Sequence, residues 1–138
     1  DPKFGQVVAL SYVVSNINTG ASGTNTFMTL ASGVNTLATM PYSGSVVGLG
    51  VKANANVTTA TAAFSIHKDG TAYAQASGIT ATLTTASGSS NKGYGTLRPG
   101  VLTFAAGDGV GVNYLTATNY AATTVDYDAT LYVVFDPI

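Results

Sequence analysis

The chain has no cysteine, no tryptophan and no glutamate, and only 8% of its 138 residues are charged. Without cysteine, neither a disulfide framework nor a thiolate metal site can hold the fold, and the redox compartment is not legible. Soluble domains average about 25% Asp, Glu, Lys and Arg, so hydroxyls, amides and backbone must solvate this surface. Its five basic residues, Lys3, Lys52, Lys68, Lys92 and Arg98, are scattered, and the net charge is −1. They form no patch able to neutralise several phosphates, so no nucleic-acid partner is expected. No apolar run is long enough to span a bilayer as a helix, and no membrane partner is expected.

What remains is rich in Thr, Ser, Asn, Val and Gly, at a length that suits one domain with one core. Helix-favouring straight-chain residues are few and β-branched ones many, which favours strands. Period-two alternation runs almost throughout. Residues 6–14 read as a strand that stops at Ser15-Asn16, before the polar stretch Asn18-Thr19-Gly20-Ala21-Ser22-Gly23. A short strand follows near Thr26–Leu30, then a loop to Met40-Pro41. In residues 45–53, Val47, Leu49 and Val51 share one face and Gly48, Gly50 and Lys52 the other, a bare face that lets another backbone come close.

Further along, Phe64 and Ile66 point inward, and Lys68-Asp69-Gly70 turns the chain into residues 71–75, a hairpin signal. Ile79, Ala81 and Leu83 alternate, and residues 86–93 are the most loop-like stretch. Two strands flank Ala105-Ala106-Gly107-Asp108, and residues 124–135 form the longest and most apolar strand before Pro137 ends its ladder. The sum is roughly eight or nine strands with no substantial helix, the pattern of an all-β antiparallel sandwich or barrel.

The order of three segments resembles a family. Met40-Pro41-Tyr42-Ser43-Gly44-Ser45-Val46-Val47-Gly48-Leu49, then Phe64-Ser65-Ile66-His67-Lys68-Asp69-Gly70-Thr71, then Phe104-Ala105-Ala106-Gly107-Asp108-Gly109-Val110-Gly111-Val112, followed by a closing apolar strand, is similar to the small jelly-roll modules of tailed-phage virions. These are capsid decoration (cement) proteins and the heads of tail or head fibres, over about the last two thirds of the chain. The resemblance implies an antiparallel jelly-roll sandwich, a tumour-necrosis-factor-like homotrimer, and a place on the capsid surface or a fibre. The implied partners are further copies of the chain and the major capsid protein or a fibre stalk. Residues 1–25 are expected to form an N-terminal strand and arm, and residues 26–138 the jelly roll; whether residues 1–40 complete the sandwich or reach over a neighbour stays open.

Two functional expectations follow. In the first, the chain is a decoration subunit whose arm docks on the shell through Phe4, Val7, Val8, Leu10 and Tyr12. Many weak, uncharged contacts repeated over a symmetric lattice would then stabilise the shell. In the second, the chain is a fibre tip whose loops around 86–96 and 114–124 bind a host surface glycan. Asn91, Tyr94, Asn113, Tyr114, Asn119 and Tyr120 would there supply amides and aromatic faces.

Catalytic and metal chemistry is thinly represented. His67 is the only histidine, and one His without a carboxylate pattern makes neither a triad nor a metal site. Its parity puts it opposite Phe64 and Ile66, on the solvent or interface side. Asp126 and Asp128 would project from one strand face about 7 Å apart, where a hard cation could use them with loop carbonyls; an ordinary solvated face accounts for them as well. A glycosidase pair there would need a raised pKa and a sugar cleft. Gly107-Asp108-Gly109-Val110-Gly111 and Gly48-Leu49-Gly50 precede no helix that could hold phosphate. The expectation is a non-enzyme without a cofactor.

Overall fold

The computed structural model describes residues 6–17, 25–33, 35–55, 61–69, 71–72, 80–84, 91–116 and 125–137. Among them there is no helix. The strands are β1 (Val7–Ile17), β2 (Asn25–Phe27), β3 (Thr29–Leu30), β4 (Ala38–Thr39), β5 (Gly44–Ala53), β6 (Thr61–Lys68), β7 (Thr71–Ala72), β8 (Thr80–Thr84), β9 (Lys92–Thr96), β10 (Thr103–Phe104), β11 (Gly109–Thr116) and β12 (Val125–Phe135).

They form two six-stranded antiparallel sheets. In the first, β12 lies between β1 and β5, β3 pairs with β1, and β9 and β10 share the other edge of β5. In the second, β11 lies beside β6, with β2 and β4 on the free side of β11 and β7 and β8 on that of β6. Pieces that share one edge of a neighbour behave as one interrupted strand. Counted so, and with the short β3 set aside, eight strands lie in the orders first–eighth–third–sixth and second–seventh–fourth–fifth.

Alternation builds the core. Along β12, Val125, Tyr127, Ala129, Leu131 and Val133 are buried between the sheets, while Asp126, Asp128 and Tyr132 face out. From the opposite sheet Phe64, Ile66, Val110 and Val112 meet them, and the Phe64 and Tyr127 rings pack edge to face at 5.0 Å. Each fully buried side chain of this size stabilises the fold by about 1.5–3 kcal/mol, and the ring pair adds about 0.5–1.5 kcal/mol. The ladder ends at Asp136, whose N–H donates to Ser43 O at 2.9 Å; Pro137 has no donor with which to continue.

Strand β5 departs from strict alternation. Its register with β12 slips between Tyr132 and Val133, where Gly48 and Val46 are successive partners and Val47 is the extra residue. A bulge of this kind reverses parity. Val46 thus joins Leu49 and Val51 in the core, and Val47, expected inside, is only half-buried.

Two turns are fixed by their own chemistry. Asp69 has φ 50°, the left-handed backbone that an Asp-Gly hairpin turn uses, and its carboxylate accepts from Gly109 N at 2.8 Å. Before β11, Asp108 Oδ2 accepts from Ala105 N at 2.8 Å and Gly107 takes φ 94°.

Candidate functional site

The N-terminal residues are part of the sandwich as far as they are described. From Val7 to Val14, β1 pairs residue by residue with β12. Val8 and Leu10 pack against the core, and Tyr12 is fully buried. The Tyr12 hydroxyl crosses to the other sheet and donates to Val110 O at 2.7 Å, and burial pushes the phenol well above its ordinary pKa. A free docking arm therefore does not extend over these residues, because an apolar alternating segment gains more by completing a sheet than by waiting for a neighbour. Of this set only Val7, 57% exposed, faces out; Phe4 lies outside the described residues.

The proposed glycan loops are altered more deeply. Asn113 and Tyr114 are not in an exposed loop: both lie in β11 and both are buried. Tyr114 faces the core, and Asn113 Oδ1 accepts from the Ser65 hydroxyl on the paired residue of β6. Tyr94 is 80% exposed, on strand β9 rather than in a loop. Asn91 is half-buried, and its carbonyl accepts from Ala53 N at 2.7 Å. Asn119 and Tyr120 lie outside the described residues, so only Asn91 and Tyr94 of the six retain some exposure there.

Asp126 and Asp128 do project from one face of β12, and both are exposed. Asp126 is engaged with Asn54, whose Oδ1 accepts from Asp126 N at 2.9 Å, and Asp128 lies across from Lys52. Among the described residues no group of three or more His, Cys, Asp or Glu could hold a metal ion. His67, on the outer face of its sheet as parity predicted, is nonetheless only 4% exposed, with its ring 4.3 Å from that of Phe27. Lys68 lies 3.8 Å from Asp108, and both are partly exposed, a pairing of little energetic weight.

The remaining feature is a surface. Paired residues share a face, so across β9, β5 and β12 the outer side of the first sheet reads Lys92–Lys52–Asp128, then Tyr94–Gly50–Thr130, then Thr96–Gly48–Tyr132. Strand β1 continues these rows with Val13, Ser11 and Ala9. The Tyr132 ring covers Gly48, where an added Cβ would lie 3.2 Å from it. At the far end Gly100 N donates to Ser45 Oγ at 2.8 Å, seating the turn of Arg98 and Val101 over the sheet. The bare glycines were legible in the sequence; the two tyrosines that border them were not, because Tyr94 and Tyr132 are brought together only through their common neighbour β5.

No protein-family model matches the sequence, and no curated protein resembles it in sequence. Solved structures do resemble it in fold. A chain from the cyanophage Pam1 capsid asymmetric unit is 19% identical with a TM-score of 0.52, over 99% of this chain and 89% of that one. This chain shares its fold with phage capsid components. A second, from the acid-stable capsid of Helicobacter pylori bacteriophage KHP30, is 10% identical with a TM-score of 0.52, over 98% of this chain and 95% of that one.

Proposed function

We propose that the chain is a structural protein of a phage virion, a jelly-roll decoration subunit that works as a trimer on the capsid surface. The observation that carries this reading is the end-to-end likeness to a chain of the Pam1 capsid asymmetric unit, over 99% of one chain and 89% of the other. The likeness runs over nearly the full length of both chains. The strand orders first–eighth–third–sixth and second–seventh–fourth–fifth support the jelly roll, since a long antiparallel hairpin wrapped into two four-stranded sheets produces that order.

The surface chemistry agrees. With 8% charged residues, large areas can meet a neighbour with few ions to strip of water. Weak contacts of this kind gain strength from repetition, because each copy held by several neighbours is bound with avidity. The fibre-tip reading draws less support: Asn113 and Tyr114 are buried and cannot meet a glycan without unfolding β11.

Phage particles made without the chain provide the test. They are expected to release their genome at lower temperature than complete particles, and purified chain added back is expected to restore the original release temperature. Particles equally robust with and without it would contradict the decoration role.

A further inference from the structure

Among the described residues, four of the seven exposed large apolar side chains lie on one face. Val7, Tyr94, Val101 and Tyr132 lie on the outer side of the first sheet, whereas Phe27 and Leu115 lie on the other sheet and Tyr42 packs against Phe135 at one end. Exposed apolar side chains gathered on one face mark an interaction surface.

Gly50 adds a second, independent sign. It sits inside β5 with an ordinary φ, and a Cβ built on it meets nothing within 4 Å. Neither backbone conformation nor internal packing asks for glycine there, and glycine within a strand weakens it. The physical use left for a bare position is the close approach of something external. Tyr94, across the strand pair from Gly50, stands 80% exposed as one wall of this trough, and Tyr132 is the other.

The charges say what that occupant carries. On the β5–β9 half of the face Lys52 and Lys92 are cross-strand partners, both exposed, and these two strands carry no carboxylate; Arg98 is exposed in the turn at the far end, over Ser45. Asp128 on β12 is the cross-strand partner of Lys52, so one carboxylate faces the lysine pair from that side and Lys92 has no acid opposite it on β5. Two lysines against one aspartate leave this row cationic in a chain of net charge −1, and complementary charge across an interface fixes register and partner choice.

We propose that the β5–β9 half of this face seats the chain on its shell partner, a protein segment that lays its backbone over Gly50 between Tyr94 and Tyr132 and brings carboxylates to Lys52 and Lys92. The partner's identity as a shell protein rests on the virion reading above.

The test is sedimentation of the purified full-length chain with particles that lack it, across a salt series. Wild-type chain binds and weakens as salt rises. Lys52→Glu/Lys92→Glu and Gly50→Leu each bind at least tenfold more weakly with unchanged melting temperature, while Leu115→Ser on the opposite sheet binds like wild type. If the charge reversal lowers the melting temperature, Lys52→Gln/Lys92→Gln is read in its place. Wild-type binding with folded variants that bind equally well would overturn this proposal alone. Failure of the wild-type chain to bind would defeat the virion reading and this proposal with it. Variants that lose self-association by light scattering but keep particle binding would make the face a contact between copies, which also overturns it.

Discussion

The Tyr12 hydroxyl donates to the Val110 carbonyl at 2.7 Å, joining β1 of one sheet to β11 of the other across the core. This contact connects residues 98 positions apart in sequence and fixes how the N-terminal strand sits against the opposite sheet. Tyr12→Phe keeps the ring and loses the bond, and is expected to cost about 1 kcal/mol. Tyr12→Ala empties the site and is expected to cost about 3–5 kcal/mol. Denaturant midpoints at constant slope measure both; a Tyr12→Ala variant as stable as wild type would show that β1 does not complete the sandwich.

Alkaline pH offers a separate check on the same residue. Burial raises the folded-state pKa of Tyr12 above the unfolded value of about 10. The unfolded phenol ionises first, so the contribution of Tyr12 is fully present below about pH 10 and is lost as pH rises beyond it. The stability gap between wild type and Tyr12→Phe should therefore narrow from pH 9 to pH 11. A gap that stays constant over that range would place the phenol in water.

Two glycines should respond oppositely to the same substitution. An added Cβ at Gly111 would lie 2.5 Å from the Thr36 carbonyl oxygen, a backbone atom that cannot swing away. Gly111→Ala is expected to cost about 1–3 kcal/mol. At Gly50 the same methyl meets nothing, and Gly50→Ala should leave stability unchanged or raise it by up to about 1 kcal/mol. Melting temperatures of the two variants settle the contrast, and a destabilised Gly50→Ala would remove the reason to look outside the chain for what that position serves.

Local pattern carried much of the fold. Alternation in β6 placed Phe64 and Ile66 inside, apolar content marked β12 as the longest strand, and Asp-Gly at 69–70 marked the hairpin. Pairing was not legible, because it joins distant segments: β1 meets β12, and neither sequence names the other. Three segments show that limit. Whether the Val7–Tyr12 strand completes the sandwich or reaches over a neighbour was open in the sequence, because its partner is the last strand. Lys92–Thr96 looked like a loop because two glycines and a lysine suppress strand propensity, yet pairing with residues 48–52 of β5 holds it extended. Asn113 looked like a loop edge because an amide interrupts an apolar run, whereas the Ser65 hydroxyl across the ladder satisfies it where it is buried. The candidate surface was half visible: its glycines show in the sequence, but its tyrosines and lysines converge only in the folded sheet.

A lattice component of a phage particle is present in a number set by the symmetry of the shell, and this number can be counted in purified particles. Quantitative mass spectrometry against the major shell subunit should find on the order of hundreds of copies per particle, as symmetric tiling of a shell requires. A count in the tens would point to a fibre tip, and absence from the particle would contradict a role in the virion.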